Sequence, residues 1–431
     1  MKKLRVGLAG LGTVGAKVAS RLRSGAVANV ELVAVSARDA TAQRDVDLSA
    51  CRFESTAQNL LADDIDIVVE LIGGSDGVAY DLVCGALEAG KSVVTANKAM
   101  LAAHGDRLSA LSNATLPAPP SLAYEAAVAG GIPVIKTLRE GMAGNQVQRL
   151  CGILNGTCNY ILSQMSQKQL SFDDALRAAQ AKGFAESDPS LDISGMDAAQ
   201  KLSILAALAF DVRPDVTVFS VTGITMIEAR DIHYAAQFGK IIRLIALAEK
   251  RDDGVFMQVS PMLVDRYTPL AEVHDELNGL LIEADLVGEL FLQGAGAGGG
   301  ATACAVLADI ADIAANYGRP AFAYSCESMT MSVAKQAMAR SYYVRLELVD
   351  KPGSMAMATQ ILAENGVSIE EVVQRSSDKG GSHLPVVFIT HKVAEDALNK
   401  ALITLQSKEQ SEEAFCQHIL ALPILISTSK A

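Results

Sequence analysis

The chain opens with a short apolar run, Leu4 to Ala9. It breaks into Gly10-Leu11-Gly12-Thr13-Val14-Gly15 and continues as a helix-like segment to Arg23. This order of strand, glycine turn and helix constrains the fold more than any other feature, because each glycine has its own task. The first allows a tight turn, the second lets a pyrophosphate approach the backbone, and the third lets helix pack on strand. The phosphates then sit at the helix N-terminus, where unpaired N–H groups favour an anion. Gly10, Leu11, Gly12, Thr13, Val14 and Gly15 are therefore candidate dinucleotide contacts. An ordinary glycine turn in an α/β protein is the competing explanation.

The segment that follows keeps the α/β rhythm. A second strand over 30–36 ends at Ser36-Ala37-Arg38-Asp39. An acid at this position binds ribose hydroxyls, and an arginine accommodates a 2′-phosphate. Arg38 comes first and leans towards NADP, while Asp39 leaves NAD open. A strand over 65–71, a helix over 78–89 and the Val93-Val94 strand lead to Thr95-Ala96-Asn97-Lys98. Lys98 is thus placed at the carboxyl edge of an open sheet, where ligands bind. There it could serve substrate, cofactor or proton transfer, or be a surface lysine.

The formal net charge of the 431-residue chain is -12. An acidic chain without basic runs is a poor partner for nucleic acid or an anionic membrane, so any phosphate site must be built locally. Apolar runs stop short of membrane-spanning length, and the N-terminus lacks a signal-peptide pattern. Seven scattered cysteines without a CxxC pair point to reduced thiols in a cytoplasmic protein.

In the middle stands Gly183-Phe184-Ala185-Glu186-Ser187-Asp188-Pro189-Ser190-Leu191-Asp192, continuing through Gly195 to Asp197 and Lys201. Asp197 and Lys201 are four apart and share one helix face. Leu202, Leu205 and Leu208 continue that helix as apolar core. A carboxylate beside an amine at a helix mouth can orient a polar substrate and move a proton. Taken alone, the pair reads more readily as a surface ion pair worth about 0.3–0.5 kcal/mol, and it is the flanking motif that favours a site.

Together these motifs resemble the homoserine dehydrogenase family. The set comprises the GLGTVG loop, Val94-Thr95-Ala96-Asn97-Lys98, and Tyr124-Glu125-Ala126-Ala127-Val128-Ala129-Gly130-Gly131-Ile132-Pro133. It continues with Gly152-Ile153-Leu154-Asn155-Gly156-Thr157, the acidic run, and the glycines from 294 to 300 with Thr302. The resemblance covers nearly the whole chain. It implies NADP- or NAD-dependent interconversion of L-homoserine and L-aspartate 4-semialdehyde in threonine, methionine and isoleucine biosynthesis. By motif matching, Glu186 resembles the ligand of the substrate ammonium, with Asp192 and Asp197 as further acids of the pocket. Lys201 resembles the proton donor and Lys98 the second active-site lysine. Gly183 and Gly298 would approach the cofactor or substrate from the other side of the cleft. The family also holds a sodium ion, which by the same matching Glu125, Val128, Gly130 and Ile132 would surround, mainly through carbonyls. Cys158 and Cys304 depart from the family pattern as small replacements, and neither is expected to act as a nucleophile. A non-catalytic amino-acid sensor and another small-amino-acid dehydrogenase are the rival readings.

From Tyr343 alternating residues suggest a half-buried strand. The turn Lys351-Pro352-Gly353-Ser354 leads to a helix ending near Gly366, and strands over 369–374 and 385–390 follow. A helix over 395–406 and a closing strand over 424–426 complete βαββαβ, a ferredoxin-like unit. It is similar to the ACT regulatory domain, which implies L-threonine as effector; a purely structural module is the alternative. The unbranched Ser354-Met355-Ala356-Met357 departs from the usual apolar pattern there. The expected architecture is α/β with three parts. A Rossmann-type dinucleotide domain spans 1–130 and about 294–330. An α+β catalytic and dimerisation domain spans 131–293. A connector over 331–342 leads to the ACT domain over 343–431. A homo-oligomer, dimer or tetramer, is expected.

Overall fold

The computed structural model describes residues 3–113, 119–315, 321–322, 333–334, 338–374, 382–407 and 415–425. Tyr317, Cys326, Gly380, Gly381, Ile426 and part of the expected connector lie outside these residues.

Six strands form the first sheet: β1 (Leu4–Ala9), β2 (Val30–Ser36), β3 (Arg52–Glu54), β4 (Ile67–Glu70), β5 (Ser92–Thr95) and β6 (Leu122–Ala123). Their order is β3-β2-β1-β4-β5-β6, and every neighbouring pair is parallel. Helices α1 (Thr13–Arg23), α2 (Val78–Glu88) and α3 (Lys98–Ser112) make the crossovers. Strand order reverses between β1 and β4, so a crevice opens at their carboxyl ends. Val6 and Leu8 point to one face of β1 and pack with Val18, Ala19 and Leu22 of α1. Ala303, Val306 and Ile310 of a later helix join the same cluster.

The second sheet contains β7 (Val147–Ile153), β8 (Ser220–Val221), β9 (Lys240–Arg251), β10 (Gly254–Asp265), β11 (Leu277–Ala284), β12 (Gly288–Ala295) and β13 (Val333–Ala334). Its order is β12-β11-β7-β9-β10-β13, with β8 also pairing β10. The helices of this region are α4 (Val134–Lys136), α5 (Gly156–Lys168), α6 (Phe172–Ala181), α7 (Ser190–Ile193), α8 (Met196–Phe210) and α9 (Ala229–Gln237). α8 is apolar around most of its circumference, as a helix enclosed by a core must be; Leu202, Ile204 and Leu205 are fully buried. The chain returns to the first sheet through α10 (Gly299–Ala314), not at Gly294. Gly294 belongs to β12 and pairs with Asn278 in the second sheet.

The third sheet carries β14 (Tyr342–Val349), β15 (Ile369–Gln374), β16 (His383–Thr390) and β17 (Cys416–Pro423), with α11 (Ser354–Glu364) and α12 (Glu395–Ser407) between them. The order β15-β16-β14-β17 is antiparallel throughout, and the chain order is βαββαβ. The closing strand is Cys416–Pro423, rather than the expected 424–426. Ile424 instead bridges Leu263 of the second sheet. One face of this third sheet packs Val344, Leu346 and Leu348 against Ile361, Leu362 and Leu398. Tyr343, Val387, Ile389 and Leu422 on the other face join the core shared with the second sheet.

Candidate active site

The glycine loop has the steric signature of a dinucleotide turn. Gly10 has φ +98°, and a Cβ there would lie 2.5 Å from the Leu71 carbonyl oxygen. A Cβ on Gly15 would lie 1.9 Å from the Gly10 oxygen, so the helix approaches the loop this closely only because Gly15 lacks one. Gly12 caps α1 without a side-chain hydrogen bond and faces open space. Gly298, at φ +117°, caps α10 in the same bare manner. The two helices begin side by side: a Cβ on Gly299 would meet Thr13 Cγ2 at 2.7 Å and Lys17 Nζ at 3.4 Å. Two uncapped N-termini and an ammonium converge there, an arrangement suited to an anion.

At the end of β2, Arg38 is exposed. The Asp39 carboxylate turns into its own loop and accepts from Thr41 N (2.8 Å), Thr41 Oγ1 (2.7 Å) and Ala42 N (3.2 Å). Hydrogen bonds from the Thr41 hydroxyl and N–H hold this carboxyl below its usual range. Arg44, which carries no motif signal, donates to the Asp39 carbonyl (2.5 Å), the Ala42 carbonyl (2.9 Å) and the Leu11 carbonyl of the glycine loop (3.4 Å).

Across the crevice, two lysines meet one carboxylate. Asp197 is the second residue of α8, behind Gly195 in the left-handed conformation at φ +85°. Lys201 Nζ donates to Asp197 Oδ2 at 2.8 Å and to the Leu154 carbonyl at 2.7 Å. Lys98 Nζ, from the first residue of α3, lies 3.2 Å from Asp197 Oδ1. Asp197 and Lys201 are 5% and 8% exposed, which removes the surface ion-pair explanation. Burial pushes the Asp197 carboxyl up, but the Lys201 and Lys98 ammonium groups, with hydrogen bonds from Lys201 and Asn155, outweigh it and hold it at about 2.

Asn155 joins the acids. Its Nδ2 donates to Asp192 Oδ1 (2.7 Å) and Asp197 Oδ2 (2.8 Å), while its Oδ1 accepts from Cys158 N and caps α5. Burial raises the Asp192 carboxyl despite the Asn155 hydrogen bond, and Asp197 nearby adds to the rise. Glu186 stands apart: it is exposed, and its carboxylate has no hydrogen bond or ion pair among the described residues. Its loop is tied to α5 by Thr157 Oγ1, which donates to the Phe184 carbonyl at 2.7 Å. Gly183, at φ +76°, faces open space in that loop. The Cys158 thiol is fully buried, donates to the Asp192 carbonyl and is pushed well above its usual range by burial, so it is no nucleophile. Cys304 is exposed on α10.

Glu125, Val128, Gly130 and Ile132 are all buried or at the joint between the first two sheets. Glu125 Oε1 and Oε2 accept from Ile135 N (3.0 Å) and Lys136 N (2.8 Å), and burial raises this carboxyl. The Ile132 carbonyl accepts from Val134 N at 2.7 Å. Among the described residues no group of three or more His, Cys, Asp or Glu could hold a metal ion. A cation here would rest on carbonyl oxygens and one carboxylate, a donor set suited to a hard ion.

Comparison with known proteins identifies the family of the chain. The family profile described as "Homoserine dehydrogenase" matches residues 133–311. Its partner, "Homoserine dehydrogenase, NAD binding domain", matches 10–116, and the ACT domain profile matches 342–407. The chain is 36% identical over 427 residues to a homoserine dehydrogenase of Pseudomonas aeruginosa, covering 95% of this chain and 96% of that one. A crystal structure of a homoserine dehydrogenase from Thiobacillus denitrificans superposes with TM-score 0.88 at 35% identity, covering 99% of both chains. A hyperthermophilic archaeal homoserine dehydrogenase in complex with NADPH aligns with TM-score 0.63 at 27% identity, over 74% of this chain and 99% of that one.

Proposed function

The chain belongs to the homoserine dehydrogenase family, NAD(P)-binding oxidoreductases that act on the hydroxyl of homoserine, and from that premise we propose how its own residues carry the reaction. The observation that carries the proposal is the meeting of Lys98 and Lys201 on the single carboxylate of Asp197. The cofactor supplies or accepts the hydride. As the aldehyde of L-aspartate 4-semialdehyde is reduced, negative charge develops on its oxygen and must be stabilised and protonated. Lys201 does both. An ammonium has three N–H donors; two of those on Lys201 go to Asp197 and the Leu154 carbonyl, leaving one for the substrate oxygen. Asp197, held at about 2, keeps its charge and orients both lysines without taking the proton. In the oxidative direction Lys201 returns as the base that receives the hydroxyl proton. Glu186, with its unengaged carboxylate, and Asp192 bind the substrate ammonium. Lys98 closes the site from the cofactor side.

The loop after β2 favours NADP over NAD. Asp39 commits Oδ1 to its own turn, while two arginines stand on the same loop: Arg38, which is exposed, and Arg44, whose Nε donates to the Leu11 carbonyl of the glycine loop. Charge-assisted donors of this type suit a 2′-phosphate. A structurally similar archaeal relative is described with NADPH, and Gly183 and Gly298 border the space across the cleft. Sodium is assigned to Glu125 and the carbonyls of Val128, Gly130 and Ile132, where it would brace the joint between the sheets. The ACT module makes L-threonine the proposed effector, and a homo-oligomer in the cytoplasm is the proposed working form. No described helix is long and apolar enough to cross a membrane.

Steady-state kinetics with homoserine and each nicotinamide cofactor, with and without threonine, test the reading. Turnover with NADP favoured over NAD is expected. Absence of turnover by folded protein in both directions would overturn it, and turnover of a different small amino acid alone would reassign the substrate.

A further inference from the structure

Glu70 ends β4 and is fully buried. No cation pairs with it among the described residues. Instead, Oε1 accepts from Ile72 N at 2.7 Å and Gly73 N at 2.9 Å, and Oε2 accepts from Thr95 Oγ1 at 2.5 Å. A carboxylate can be kept in a core when N–H and O–H donors replace its water. Three do so here, and each leads to a part of the site.

Two of the donors belong to the turn at residues 72–74, which follows the strand next to the glycine loop. Leu71, at the start of that turn, is the residue whose carbonyl crowds Gly10. The third leads to the lysine-bearing helix. Thr95 is fully buried, and its hydroxyl oxygen accepts from Asn97 N at 3.0 Å. Asn97 then caps α3 by accepting from Met100 N at 3.1 Å, and its Nδ2 donates to the Gly74 carbonyl at 2.7 Å. Lys98 is the next residue. Nearly two turns further along α3, His104 Nε2 lies 2.9 Å from Asp76 Oδ1, a second tie between the same loop and the same helix.

We propose that Glu70 is a positioning residue for the reaction: through Thr95 and Asn97 it locks the first turn of α3, and with it Lys98, in register with the turn that borders the cofactor crevice. The inference rests on the role given above to Lys98. The backbone direction of Lys98 is set from the first sheet, whereas its target, Asp197, lies on α8, which packs between α3 and the second sheet. A rigid first turn lets the ammonium reach that carboxylate without a search over rotamers. Oε1 and Oε2 divide the work, with the loop on one oxygen and the helix on the other, and this division makes the proposal separable by mutation.

Thr95→Val removes only the helix branch at nearly constant volume, Thr95→Ser restores the hydroxyl, and Glu70→Ala removes both branches. Each is compared in the full-length enzyme for kcat, KM for homoserine, NADP affinity by fluorescence titration, and thermal midpoint. Thr95→Val is expected to lower kcat by roughly ten- to a hundredfold with NADP affinity changed less than about threefold. Thr95→Ser should return to within about threefold of the parent, and Glu70→Ala should lose both kcat and NADP affinity. A purely structural role lowers thermal midpoints and leaves the kcat of the folded enzyme intact, and that result overturns the proposal. So does a Thr95→Ser enzyme that folds but shows no rescue. Lys98→Ala is run alongside. Full kcat there refutes the role of Lys98 and the proposal with it, while an impaired Lys98→Ala beside normal Thr95→Val and Glu70→Ala refutes the positioning alone.

Discussion

Asp197→Asn removes one charge from between two ammonium groups while nearly preserving shape. In the parent, the carboxyl sits at about 2 against an ordinary 3.8. At about 1.4 kcal/mol per unit, the ionised group contributes about 2 kcal/mol to stability. The folded value is depressed, so this contribution is fully present above pH 4. It is lost as pH falls towards 2, because the unfolded chain takes up the proton first. Asparagine does not titrate. Urea unfolding of both proteins between pH 7 and pH 2 should therefore show the parent losing about 2 kcal/mol more than the variant below pH 4. At pH 7 the variant should be less stable by about 3–5 kcal/mol, since Lys201 keeps a buried ammonium without its counter-ion. Its kcat should drop at least about a hundredfold, because neither lysine is held in place. Parallel pH dependences, or a variant as stable as the parent at pH 7, would refute the view that Asp197 is an ionised anchor.

Lys201→Ala should lower kcat by roughly 10²–10⁴-fold with NADP affinity retained; stopped-flow turnover beside a cofactor titration checks both. Arg38→Ala and Arg44→Ala should each weaken NADP by about ten- to a hundredfold, as loss of a charge-assisted contact implies, with NAD little affected; paired KM measurements decide. Arg345→Met leaves the fully buried Asp231 without the guanidinium that donates to it at 2.7 Å. It should cost about 3–5 kcal/mol in urea unfolding, and a loss under 1 kcal/mol would show that the other donors to Asp231, the Tyr343 hydroxyl at 2.8 Å and the Glu228 N–H at 2.9 Å, suffice.

Four of the six strands of the first sheet were legible because their signals are local, while the short edge strands Arg52–Glu54 and Leu122–Ala123 were not. Leu4–Ala9 and Val30–Ser36 are apolar runs broken by one charge each, Arg5 and Glu31, and ended by glycine or polar turns, and the structure places both strands at those bounds. The closing strand of the third sheet was hidden by Gln417 and His418, polar residues within Cys416–Pro423. His418 adopts φ +47°, and the pairing shifts register between Arg345 and Glu347, so alternation fails there. Likewise, the four-residue spacing of Asp197 and Lys201 announced a pair but not its burial. The approach of Lys98 is a tertiary event between distant segments. Asn155 lay inside a recognised motif, yet only coordinates show one amide serving two acids. The loop after β2 resisted reading because residue types alone do not tell where the Asp39 carboxylate points.

The third sheet lends one of its faces to the core of its neighbour, with Tyr343, Val387, Ile389 and Leu422 inside. Such a module cannot be inherited or discarded as a cassette. A lineage that dropped it would have to repaint that face with polar residues in the same step, or pay in aggregation. A chimera that imports another ACT sheet must bring the matching apolar half and a partner for Asp231. Engineering of this module is therefore best attempted by grafting loops, leaving the shared face untouched.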